Sequence, residues 1–85
     1  MKLRSNKDLY NYLLSLSKVL GERGSQQLEE SINTAAKQAT GLSTEFLGEA
    51  HMALSAVLDA KDLLRADEKN ELIRVMSQID FALRR

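Results

Sequence analysis

The 85-residue chain has no cysteine, no proline and no tryptophan, one histidine, four glycines and a formal net charge of zero. Each shortage excludes something. Without cysteine, neither a disulfide framework nor a thiolate metal cage can supplement the core, and no nucleophilic thiol exists. With only His51, a two-histidine zinc site cannot form within one chain, and carboxylates bind zinc poorly without nitrogen or sulfur partners. No metal or cofactor is therefore expected. Twelve Lys and Arg against twelve Asp and Glu argue against the large uniform field of a dedicated nucleic-acid binder. No apolar run approaches the ~20 residues of a membrane span, and no apolar stretch follows Lys2 and Arg4 as it would in a secretory signal. A soluble, cytoplasmic protein with no membrane partner is the expectation.

The residues that are present repeat at helical spacing. In the first segment, after a Ser5 or Asn6 cap, Leu9, Tyr12, Leu13, Leu16, Val19 and Leu20 recur at three and four, and Gly21 marks the stop. Ser25 caps a second segment whose apolar face is Leu28, Ile32, Ala35, Ala36 and Ala39. This face is thin, because alanine favours the helix but buries little area. The third segment, after Ser43, carries the most regular stripe: Phe46, Ala50, Ala53, Val57, Ala60 and Leu64, flanked by Leu47, Leu54 and Leu58. Leu72, Met76, Ile79 and Leu83 form the stripe of a fourth segment.

Between the last two stripes lies Arg-Ala-Asp-Glu-Lys-Asn-Glu, residues 65–71. Had the third stripe continued in phase, its next members would be Asp67, Glu68 and Glu71, so the stripe stops there. Asp67 can cap a new helix, with Glu68 and Glu71 in its first turn near the positive end of the dipole. A tight turn near Arg65 to Asp67 is the reading. The alternative is one continuous helix of roughly 40 residues, about 60 Å long, since no glycine or proline marks the break. The expected fold is all-α, a single domain over residues 1–85 forming a small antiparallel bundle of four helices, roughly 6–20, 25–40, 44–64 and 68–84.

The chemistry-bearing residues do not assemble a reaction centre. Serines are plentiful, but His51, which projects away from the neighbouring Glu45 and Glu49, reads as a partly exposed helix histidine, and no nucleophile-elbow pattern occurs. Gly21-Glu22-Arg23-Gly24 lacks the Gly-Lys-Ser/Thr ending of a phosphate loop and follows no strand. Asp59, Asp62 and Asp67 are interspersed with Lys61 and Arg65, as on a solvated face. The chain is expected to be non-enzymatic, with no small-molecule substrate.

Ser31-Ile32, then Glu45-Phe46-Leu47, then Ala53-Leu54-Ser55-Ala56-Val57 resemble the core of the four-helix-bundle proteins encoded in ribosomal-RNA intervening sequences. The resemblance covers about a third of the chain. It implies an up-down-up-down bundle that assembles into a ring, with nucleic-acid binding in one branch that assists reverse transcriptases. The family's Asn-Ile-Ala-Glu-Gly segment stands here as Ala35-Ala36-Lys37-Gln38-Ala39, and no residue of a functional site carries over.

The functional expectation is a small helical interaction module that self-associates and docks a partner macromolecule. Supply is the argument: the alanine-rich second segment cannot cover the apolar faces of the other three, and surplus apolar surface marks an interface. Val75 adds to that surplus in the fourth segment. The candidate interface residues are Leu54, Leu58, Leu72, Ile73, Met76, Ile79 and Leu83. Two other readings stand beside it. One is a nucleic-acid-binding accessory protein using Lys2, Arg4, Lys7, Lys18, Arg23, Arg84 and Arg85 as a basic end patch, and the other is a regulator or inhibitor of one specific protein.

Overall fold

The computed structural model describes residues 5–40, 43–60 and 63–84. They form α1 (Asn6–Glu22), α2 (Gln26–Ala36) continued by one 3-10 turn (Lys37–Thr40), α3 (Ser43–Asp59) and α4 (Ala66–Leu83). The described residues contain no strand.

Helix α1 begins where Ser5 Oγ accepts the Asp8 N–H at 3.4 Å, and its leucines 9, 13, 16 and 20 are all buried. It runs past Gly21, where the sequence suggested a stop. The terminator is Gly24, whose φ of 86° lies in the left-handed region. Around it the Ser25 N–H reaches the Leu20 carbonyl at 3.0 Å and the Gly24 N–H reaches the Gly21 carbonyl at 3.1 Å. This is the paired hydrogen-bond closure that satisfies the last carbonyls of a helix. The reversal delivers the chain straight into α2, antiparallel to α1.

Helix α2 buries Ile32, Ala35 and Ala36. Its small side chains let α1 and α3 approach from both sides, and both pack closely on it. The helix was expected to continue to residue 40, and it does so as a tightened turn, a common way for a helix to end.

Helix α3 buries Phe46, Ala50, Ala53, Leu54 and Val57 but ends at Asp59, five residues short of the expectation. The Ala60 N–H reaches only back to the Val57 carbonyl, at 3.1 Å, a closing turn of 3-10 type. Beyond it the chain uses its apolar residues differently. Leu64 is buried from the connecting segment rather than from the helix stripe, and the Leu63 carbonyl accepts Arg23 Nη1 at 2.9 Å.

The hairpin turn between α3 and α4 is present, and its cap is not Asp67. Arg65 holds the cap position with φ −71° and ψ 164°, and Glu68 Oε1 accepts the Arg65 N–H at 2.8 Å. The correction has a simple cause. A glutamate three residues into a helix can reach back to the cap N–H, and Glu68 is fixed in that pose by Arg23, so the helix starts one residue before Asp67. Most of the polar run is thus the first turn and a half of α4.

The principal extents are 34 × 22 × 18 Å and the radius of gyration is 11.8 Å, close to the ~12 Å of a compact chain this long. A continuous rod of about 60 Å is excluded. Each helix packs on its neighbour in sequence, whereas α1 and α4 stand further apart.

Candidate interaction surface

Three of the expected interface residues belong to the interior. Leu54, Leu72 and Ile79 are fully buried, as is Val75. The apolar surplus counted along the sequence is largely absorbed within one chain, because α4 turns the side carrying Leu72, Val75 and Ile79 onto α3 and the core. Leu58 and Met76 are half-buried against that core. Ile73 and Leu83 are exposed at 46% and 39%.

One exposed apolar residue that the expected interface did not include is Phe81, 65% exposed. It lies off the stripe of Leu72, Met76, Ile79 and Leu83, and reading only the stripe passes over it. The signal was available: Phe81 sits eight residues after Ile73, which places both on the outer side of α4 with Ser77 between them. The result is an outer face built on Ile73, Ser77, Phe81 and Arg84. Other exposed apolar residues, Tyr10 and Leu14 on α1 and Met52 on α3, lie on different helices.

The described residues of the expected basic end patch, Lys7, Lys18, Arg23 and Arg84, do not gather at one end. Arg23 ends α1 and donates to both carboxylate oxygens of Glu68, at 2.5 and 2.9 Å. Lys7 starts α1, about 24 Å away at ~1.5 Å per residue, and Lys18 is exposed between them. Arg84, at the end of α4, pairs with Asp80 at 3.3 Å. Lys2, Arg4 and Arg85 lie outside the described residues. Lys7 has a basic neighbour that the sequence reading did not assign, Lys37: the two line one cleft of about 390 Å³ with Asn6, Tyr10, Ala36 and Ala39.

On the seam between α1 and α4 a groove of about 370 Å³ is lined by Tyr12, Leu16 and Val19 on one wall and by Asp67, Glu68 and Glu71 on the other. Burial, followed by the charges on Glu71 and Glu68, pushes the Tyr12 hydroxyl above the usual phenol range. Tyr12 is therefore a neutral donor at any physiological pH. At the groove's end the Arg23 guanidinium, helped by the Arg65 N–H, holds the Glu68 carboxyl down at about 2.

A depressed carboxylate contributes stability that is complete above its unfolded value, near ~4.3, and disappears as the pH falls toward the folded value. The latch is therefore expected to loosen between about pH 4.5 and pH 2. Carboxyl-resolved NMR titration checks this: Glu68 should titrate near the bottom of that window, and Arg23→Gln should return it toward the ordinary range. An unchanged Glu68 titration in the variant would remove Arg23 as the cause.

His51 is half-buried on α3. Among the described residues no group of three or more His, Asp or Glu could hold a metal ion, and no helix is long and apolar enough to cross a membrane. Comparison with protein-family models, with curated proteins and with solved structures finds no match to the chain.

Proposed function

We propose that the protein is a non-enzymatic helical interaction module that self-associates through the outer face of α4. The observation that carries this reading is the exposure of Ile73 and Phe81 on one side of α4, two turns apart. Full burial of a large apolar side chain is worth roughly 1.5–3 kcal/mol, so a face with two of them is costly to leave in water. A second copy is the occupant we favour. With twelve charges of each sign two copies do not repel, and antiparallel pairing of α4 helices sets the negative end of one dipole against the positive end of the other. Association has its own cost, on the order of 4–15 kcal/mol, which for a face this small predicts a micromolar dimer.

Sedimentation equilibrium across the micromolar range tests this. Wild type should shift from near 9.5 kDa toward twice that mass, and Ile73→Ser with Phe81→Ser should remain monomeric while keeping its helical circular dichroism. A wild-type monomer throughout that range would sink the reading. The earlier candidates Leu72, Ile79 and Leu54 are unsuitable for this purpose, since changing them disturbs the core.

A nucleic-acid accessory role is the second reading, supported by Lys7 and Lys37 bordering one cleft. It requires binding that weakens steeply as salt rises.

A further inference from the structure

We propose that the seam between α1 and α4 is a docking groove for a basic amphipathic peptide segment, which sets apolar side chains on the exposed parts of Tyr12 and Val19 and an arginine or lysine against Asp67 and Glu71. The site is distinct from the outer face of α4 and does not depend on self-association.

The argument starts from topology. In a bundle whose helices pack in sequence order, the first and last helices must close the ring of contacts. Here α1 and α4 are not among the closely packed pairs. They are joined at one end by Arg23 and Glu68, and the space beside that latch is the groove. Its two walls have different chemistry. The α1 wall is the flank that carries Tyr12, Leu16 and Val19, and the α4 wall carries three carboxylates within five residues.

Charge decides the sign of the occupant. Arg23 neutralises Glu68, and Asp67 has only a loose, exposed pairing with Arg65 at 3.7 Å. Burial first, and then the Glu71 charge, raise the Tyr12 hydroxyl, and among the described residues three carboxylates and no basic side chain line the groove. The rim is therefore acidic. Arg23 also shows how a guanidinium is received on this wall, through a two-pronged contact with one carboxylate, the strongest geometry available to such a pair.

Size decides the class. A groove of about 370 Å³ holds a few side chains and not a folded surface. A small cation would satisfy the carboxylates but leave the exposed parts of Tyr12 and Val19 wet, and an apolar ligand alone would remove the carboxylates from water without a partner, which is costly. A peptide with apolar and cationic side chains at helical spacing satisfies both walls at once.

The test uses a short acetylated peptide with leucines at four-residue spacing flanked by arginines, and the same peptide with every arginine replaced by glutamate. The full chain, labelled with 15N, is titrated with each. The arginine peptide should move the amide resonances of Tyr12, Ser15, Val19 and Glu71, and it should bind at least about tenfold more tightly than the glutamate peptide. Asp67→Asn combined with Glu71→Gln should weaken it about tenfold, the equivalent of 1.4 kcal/mol, with circular dichroism unchanged. Ile73→Ser should bind it as wild type does, which separates this site from the dimer face. Equal affinity for the two peptides, shifts confined to other helices, or no binding at millimolar peptide would overturn the proposal.

Discussion

Phe46→Ala is expected to remove about 3–5 kcal/mol of stability, the range for truncating a fully buried aromatic side chain. Phe46 heads the fully buried side chains by volume, at 0% exposure, and it enters the core from the first turn of α3. Its neighbours cannot easily collapse into the space it leaves. Ala50 and Ala53 follow it on the same stripe, and small side chains have no flexible atoms to swing into a void. The proportion matters more than the absolute figure: at ~0.05–0.15 kcal/mol per residue an 85-residue domain holds roughly 4–13 kcal/mol in total. The variant should therefore melt far below wild type or be unfolded at 25 °C. Urea denaturation followed by circular dichroism measures it: the midpoint should fall steeply with little change in slope. A loss under about 1 kcal/mol would show that Phe46 is not the centre of the packing.

The same burial accounts for how much was legible in the sequence. Periodicity located all four helices because each has an apolar stripe that must be hidden, and Leu9, Leu13, Leu16, Ile32, Phe46 and Val57 are hidden as their spacing required, while Leu72 and Ile79, expected at an interface, are hidden within the chain itself. Helix ends were less legible. Gly21 and Gly24 stand three residues apart, and only backbone geometry shows that Gly24 takes the left-handed conformation. At the start of α4 the cap depends on Glu68 being held by Arg23, a residue 45 positions away, which no local pattern encodes.

The candidate surface was the least legible, for a physical reason. A stripe that is wider than one neighbour requires can be covered by another copy or by the chain's own remaining helices, and sequence does not state which. Val75 and Leu54 were absorbed internally, while Phe81, off the stripe, was left outside. The α1–α4 groove is less legible still, because its walls come from residues 12–19 and 67–71, brought together only by the fold.

Two proline substitutions four residues apart are expected to differ by about 3 kcal/mol or more, and the difference rests on where α4 begins. Ala66 is the first helical residue, a position whose N–H has no partner within the helix, so proline costs little there. Two further features favour it. Ala66 is exposed, which leaves room for the ring, and Arg65 already has φ −71° and ψ 164°, the extended conformation that a residue before proline must adopt. Asn70 lies one turn further on and is also exposed, so its replacement removes no core packing. Proline there deletes the helical hydrogen bond to the residue four before it and crowds that carbonyl, which breaks the helix. Glu68→Pro is a poorer probe, since it also discards the carboxylate that caps Arg65 and holds Arg23. Thermal melts of the two variants supply the measurement. Ala66→Pro should unfold within a few degrees of wild type, and Asn70→Pro should lose much of its cooperative transition. If Ala66→Pro proved as damaging as Asn70→Pro, the helix would have to extend through residues 60–65, and neither the hairpin nor the groove beside it could exist in solution.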